Sequence, residues 1–298
     1  MSSVVELFEL PTSDPGVNIV GRSRGFGPPL LLLHGNPLTQ MSWDRIAPRL
    51  AESFTVITTD LRGYGDSSKP EGLPDHSNYS FRRMALDQVE VMSQLGFERF
   101  GLVGHDRGAR TAFRLAMDYP DKVIGLALMD ILPTYTVFQN IQVQMAMDLY
   151  HWWFMAQPKG FPETLLRGNE DFYIRNKLMK QGPGKGGFSE AEILEYIRVC
   201  TPENIHGVCE DYRAAFTVDL LMDTADLEAG RKVKPPTLII WGAQSHTALH
   251  HNPRIEWPKF CEHIKRMVEL PCGHYPTEQA PEETFQELNT FFGSLKGV

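Results

Sequence analysis

Asp106 lies in Gly104-His105-Asp106-Arg107-Gly108-Ala109-Arg110, an acid with a glycine two residues away on either side. Residues 100–103 before it read as a short buried strand, and residues 107 to about 119 as a helix. Glycines at such a junction allow a sharp, strained turn and let the helix approach the strand closely. The side chain at the apex then projects at the positive end of the helix. A carboxylate placed there can attack an sp³ carbon, displace a leaving group and leave an ester on the protein, which water activated by a histidine would hydrolyse. Asp is also a good N-cap residue, but the flanking glycines and the partners below favour the nucleophile.

Arg107 and Arg110 fall three residues apart in the first turn of that helix, so they share a face. Cations at a helix N-terminus oppose its dipole, at about 0.3–1 kcal/mol each. One explanation is that they neutralise Asp106 or a capping residue. The sharper one is a planar fork that holds a substrate carboxylate beside the nucleophile. The run Tyr150-His151-Trp152-Trp153-Phe154 offers N–H donors to an otherwise apolar pocket, or else packs as core. His246, His250 and His251 sit in a loop without Asp or Glu, and read as solvated rather than as metal ligands. Neither a metal nor a cofactor is expected.

These residues need elements to hold them. Residues 4–25 read as two antiparallel strands with a turn at Pro15-Gly16, and 30–33, 54–59, 123–129, 237–241 and 264–270 as further strands. The wholly apolar run 30–33 suits a strand buried on both faces. Residues 84–95 read as an amphipathic helix ending at Gly96, and 281–295 as the final helix. The glycines from Gly21 to Gly27 lack the strand–turn–helix setting and the lysine of a phosphate loop. Residues 133–229 change character, with Met, aromatic and charged residues at helical spacing and a glycine-rich run over 182–187. The expected organisation is therefore a core over 1–132, a helical cap over 133–229 and the rest of the core over 230–298.

The chain has 298 residues, 42% hydrophobic and 22% charged, which is ample for a large core. A net charge of −8 argues against a nucleic-acid surface. No apolar run approaches the length of a membrane span, and the first residues do not read as a signal peptide. Cys200, Cys209, Cys261 and Cys272 lack metal-type spacing and fit reduced thiols in a cytoplasm.

The run around Asp106 resembles the nucleophile elbow of the α/β-hydrolases, with Asp in place of the usual Ser. Gly-His-Asp-Arg-Gly-x-Arg, together with His-Trp in the cap, resembles more narrowly the fluoroacetate (haloacetate) dehalogenase branch of that superfamily, over nearly the whole chain. The resemblance implies an α/β fold, a mostly parallel sheet flanked by helices with an inserted helical cap. It implies that Asp106 is the nucleophile and that His274, in Gly273-His274 after the last strand, activates water. Asp130 would orient His274, because it ends the strand at 123–129 and the loop 242–255 after the next strand has no acid. Arg107 and Arg110 would bind the haloacetate carboxylate. His151, Trp152 and Tyr212 would donate to the departing halide, and the backbone N–H groups of Asn36 and Arg107 would form the oxyanion hole. Asn36 is a departure, since that branch typically has Phe after His-Gly. Asn in this place resembles the haloalkane dehalogenases, which in turn carry Trp where this chain has Arg107. The implied reaction turns fluoroacetate or chloroacetate into glycolate and halide, with a small anionic haloacid as partner and a homodimer as an open assembly state. Two alternatives remain at this point: an epoxide hydrolase using the same Asp, His and acid with Tyr212 as proton donor, and a ligand-sensing relative without turnover.

Overall fold

Strand β3 (Pro29–Leu33) carries Leu30 and Leu32 on one face and Leu31 and Leu33 on the other, all fully buried. Side chains alternate across a strand, so this one short run supplies both cores. Leu30 and Leu32 join a cluster with Trp43, Leu288 and Phe292, while Leu31 and Leu33 join a larger one with Met84, Phe113 and Leu128. The computed structural model describes residues 4–139, 141–180 and 187–295. The other strands are β1 (Glu6–Pro11), β2 (Asn18–Arg24), β4 (Thr55–Thr59), β5 (Phe100–His105), β6 (Val123–Met129), β7 (Thr237–Gly242) and β8 (Ile264–Leu270). They form one eight-stranded sheet in the order β1-β2-β4-β3-β5-β6-β7-β8. The β1/β2 and β2/β4 pairings are antiparallel, and from β4 across to β8 every pairing is parallel.

Helices cover both faces, as a parallel sheet requires. Helix α1 (Phe81–Gln94) begins three residues earlier than its apolar spacing suggests, because Ser80 accepts a hydrogen bond from Arg83 N–H and caps it. Helix α2 (Arg107–Asp118) follows β5 directly. Between β6 and β7, among the described residues, all regular structure is helical, over residues 134–228. The parts used below are α3 (Val143–Asp148), α4 (Tyr150–Met155), α5 (Glu170–Lys180) and α6 (Pro202–Ala214). Helix α7 (His246–His250) lies in the loop after β7, and α8 (Pro281–Ser294) closes the chain against the sheet. Most of the glycine-rich run at 182–187 lies outside the described residues. Among the described residues, no helix is long and apolar enough to cross a membrane. The four cysteines are buried and unpaired.

Candidate active site

Parallel strands deliver their C-terminal ends to one edge, and four of the expected residues sit there. Asp106 follows β5 with φ 50° and ψ −115°, a conformation that costs of order 1–3 kcal/mol for a non-glycine residue. The surroundings enforce it. A Cβ on Gly108 would lie 2.3 Å from the Leu33 carbonyl oxygen, and one on Gly35 would lie 2.5 Å from Asp106 Cβ. Only glycine lets α2 and the β3 loop come this close. Asp106 Oδ1 accepts the Asn36 N–H at 3.0 Å. Arg107 is the first residue of α2, so its N–H has no acceptor within the helix.

His274 connects two carboxylates. Its Nε2 lies 3.6 Å from Asp106 Oδ2, and its Nδ1 lies 2.6 Å from Asp130 Oδ2. Asp130, at the end of β6, also accepts the Gly242 N–H at 3.0 Å through Oδ1. The histidine loop is pinned from below by His105, whose Nε2 lies 2.7 Å from the His274 carbonyl oxygen. His34 has a similar supporting part: its Nε2 accepts the Leu61 N–H. Burial alone would lower the pKa of His274, but Asp106 and Asp130 outweigh it and raise it to about 9. Burial would raise the Asp106 carboxyl, yet His274, His105 and the Asn36 N–H hold it well below the usual range. The resting pair is therefore a carboxylate beside an imidazolium.

A cavity of about 40 Å³ opens over this pair, lined by Asn36, Asp106, Asp130, His274 and apolar residues of the cap. His151 and Trp152 of α4 line it, as expected, and both are buried. Burial, with Lys177 adding to it, lowers the His151 pKa far below its ordinary value, so the ring is neutral and offers an N–H. Tyr212 is also buried but is not among the lining residues; its ring meets that of His151 edge-on at 5.9 Å.

The arginines depart from the expected fork. Neither is among the residues lining the cavity. Arg107 turns to the buried carboxylate of Asp211 on α6, with Nε donating to Oδ2 at 2.8 Å and Nη2 donating to Oδ1 and to the main-chain carbonyl. Its guanidinium also lies over the Tyr212 ring, at 4.2 Å. Tyr64 donates to the same Asp211 at 2.6 Å. A buried carboxylate needs a cation, and Arg107 is the one at hand. Arg110 instead lies over the Trp152 ring at 5.0 Å and donates to Thr134 Oγ1. Its Nε and Nη2 are buried, with no hydrogen-bond partner among the described residues. Burial, with Arg107 adding to it, lowers the Arg110 pKa to about 10, which leaves it charged at neutral pH.

A cation that the motif reading did not single out does line the cavity. Lys177 on α5 is 5% exposed, and no hydrogen bond or ion pair holds it among the described residues. Burial lowers its pKa to about 7, against the opposing pull of Asp106. Its spacing carried the signal: Ile174, Lys177 and Leu178 share the buried face of α5, where a lysine is out of place unless something meets it.

Residues 28–281 match the family described as alpha/beta hydrolase fold. The chain is 43% identical to a fluoroacetate dehalogenase from Burkholderia sp over 91% of its own length and 89% of that protein. It is 32% identical to a soluble epoxide hydrolase from Corynebacterium sp. (strain C12), over 91% and 92% of the two chains. Among solved structures it resembles an α/β hydrolase from Nostoc sp PCC 7120, with a TM-score of 0.93, 45% identity and coverage of 97% and 98%.

Proposed function

This chain belongs to the α/β-hydrolase fold family, and from that premise we propose that it hydrolyses the carbon–halogen bond of a small haloacetate through an ester on Asp106. The observation that carries the reading is Lys177, a buried amine without a carboxylate partner among the described residues, lining the same small cavity as the nucleophile. A neutral substrate brings such a cation no counter-charge beyond the pull of Asp106. An α-halo carboxylate gives it a counter-charge and brings an sp³ carbon to Asp106.

Asp106 Oδ2 attacks the α-carbon in line, the carbon–halogen bond breaks, and the halide leaves with the bonding electrons toward the N–H donors of His151 and Trp152. Esterification removes the charge of Asp106, one of the two carboxylates that raise the His274 pKa. Burial then drives that pKa down, His274 releases its proton to solvent and takes one from water. The resulting hydroxide adds to the carboxyl carbon of the ester. Oδ1, already on the Asn36 N–H, becomes the oxyanion. On collapse the ester bond from the Asp106 carboxyl carbon to the alkoxide oxygen breaks, and the His274 imidazolium gives its proton to that oxygen. The regenerated Asp106 carboxyl passes its proton to His274, restoring the resting pair as the hydroxy acid leaves. Arg107 holds the cap onto the core through Asp211, while Arg110 supplies positive potential from behind Trp152.

Epoxide opening is the second reading, favoured by the 32% identity to the soluble epoxide hydrolase. It would use Asp106 and His274 in the same way but needs a proton donor for the epoxide oxygen. No tyrosine is among the residues lining the cavity, which weighs against it. The test is halide release from fluoroacetate and chloroacetate by ion-selective electrode, with Asp106→Asn as control. Release by the parent and not by the variant supports the proposal. Turnover of an epoxide with no halide from either acid overturns it.

A further inference from the structure

We propose that Asp148, His246 and His250 form a site for a divalent transition-metal ion of the zinc class, joining the cap to the core beside the active-site cavity. The inference does not rest on the identity of the substrate. His246 and His250 stand at i and i+4 on α7, one above the other, with rings nearly parallel at 4° and centroids 6.0 Å apart. Such a pair on one helix face is a common half of a metal site. The loop around them has no acid. The carboxylate comes instead from the cap, from Asp148 at the end of α3.

Asp148 Oδ2 lies 3.0 Å from His250 Nε2 and 3.9 Å from His246 Nδ1. One atom from each of the three residues lies within 4.8 Å of the other two. Around a tetrahedral zinc with bonds of about 2.0–2.1 Å, neighbouring ligand atoms are about 3.3 Å apart, so the observed distances need only small side-chain adjustments. Asp148 is oriented from behind by Gln144, whose Nε2 donates to Oδ1 at 3.0 Å; such supporting bonds are typical of metal-holding carboxylates.

A simple histidine–carboxylate hydrogen bond does not account for the cluster. It satisfies His250 but leaves His246 Nδ1 buried, with no hydrogen-bond partner among the described residues. An ion between the three residues satisfies both rings at once. Two imidazoles and one carboxylate suit zinc, nickel or cobalt rather than magnesium or calcium, which prefer oxygen alone. Three protein ligands leave a fourth position open to water.

The placement gives the site a consequence. His246 and His250 line the cavity that holds Asp106 and His274, and both are only half-buried. An ion bound there ties α3 of the cap to α7 of the core along one wall of that cavity. The ligand set exists only while the cap is seated, so the metal stabilises the seated form and slows passage of substrate.

The experiment is an equilibrium titration of the chelator-treated full chain with Zn²⁺ against a chromophoric chelator, with Co²⁺ absorption to report coordination geometry. The expected result is one ion per chain with micromolar or tighter affinity, a tetrahedral Co²⁺ spectrum, and a rise in Tm on adding Zn²⁺. His246→Gln, His250→Gln and Asp148→Asn, each checked for an unchanged fold by circular dichroism, should each weaken binding by more than about 10-fold and abolish the rise. Three variants on two elements guard against one failing to fold. The proposal is overturned if no stoichiometric ion binds, if affinity is unchanged in both histidine variants, or if binding is lost only in His274→Asn, which would place the ion on the catalytic histidine.

Discussion

The two halves of the cavity are built by different means. On the core side, Asn36, Asp106, Asp130 and His274 stand beyond the C-terminal ends of the parallel strands β3, β5, β6 and β8. Each carboxylate is fixed by a main-chain N–H at 3.0 Å, from Asn36 to Asp106 and from Gly242 to Asp130. On the cap side, His151, Trp152 and Lys177 stand on helices of 6 to 11 residues, and among the described residues no side-chain hydrogen bond holds them. The core side thus holds its carboxylates by main-chain hydrogen bonds and shifts the pKa values of Asp106 and His274 toward their ionised forms. The cap side buries groups in their neutral forms or at the edge of titration, His151 well below its ordinary value and Lys177 at about 7. A rigid charged half suits bond making, and a soft half suits admitting an anion and letting a halide go.

The strongest break falls on the core side. Asp106→Asn should remove steady halide release by on the order of 10⁴-fold or more, measured with chloroacetate. His274→Asn should leave the first displacement working and stall the second. Intact-mass spectrometry should then find the chain carrying the substrate's carboxymethyl group, and an unmodified chain would refute the ester.

The next predictions separate the two arginines. Arg107→Met leaves Asp211 buried without its guanidinium partner and should cost about 3–5 kcal/mol of stability, read as a lower denaturant midpoint. Arg110→Met has no carboxylate partner to orphan among the described hydrogen bonds, so it should raise KM for chloroacetate with a smaller loss of stability. Equal stability losses would erase the distinction between an arginine that fastens the cap and one that supplies positive potential from behind Trp152.

Lys177 tests the soft half. Lys177→Met should raise KM for haloacetate by about 10–100-fold. In the parent, kcat/KM should fall as pH rises through about 7, because the free protein loses the amine's charge there, and that limb should vanish in the variant. The sign for stability follows from linkage. The folded pKa lies below the unfolded one, so between about 7 and 10.4 the unfolded chain binds more protons and stability rises with pH. The variant should be flatter across that window and more stable than the parent at pH 6. A parent profile that is already flat would remove Lys177 from the substrate's path.

The elements that carry the core side were legible because their signals are local. The glycines flanking Asp106, the apolar run of β3 and the Gly-His after β8 each lie within a few residues of the group they place. Asp130 was reachable by elimination, since the loop after β7 has no acid. The cap side was legible only in part. The composition of the His-Trp run left pocket lining and core packing both open, and the family resemblance pointed to the cavity that both residues line, whereas Tyr212 packs against His151 and Arg107 and does not line it. The shared helical face of Arg107 and Arg110 suggested a fork. Their spacing is as expected, yet the side chains diverge, because Asp211, 104 residues away in sequence, claims one of them.

By itself, then, the sequence determined the sheet, the sharp turn at Asp106 and the placing of Asp106 and His274 at strand ends, since all of these follow from short-range patterns that backbone sterics and burial enforce. Tertiary structure alone decided which cation lines the cavity and where a carboxylate joins the histidines of α7. Lys177 reaches the cavity from the cap, and Asp148 approaches His250 across 102 residues of chain. Burial makes an unpaired ion costly, so what a desolvated charge meets is set by nearness in space, which a linear pattern does not record.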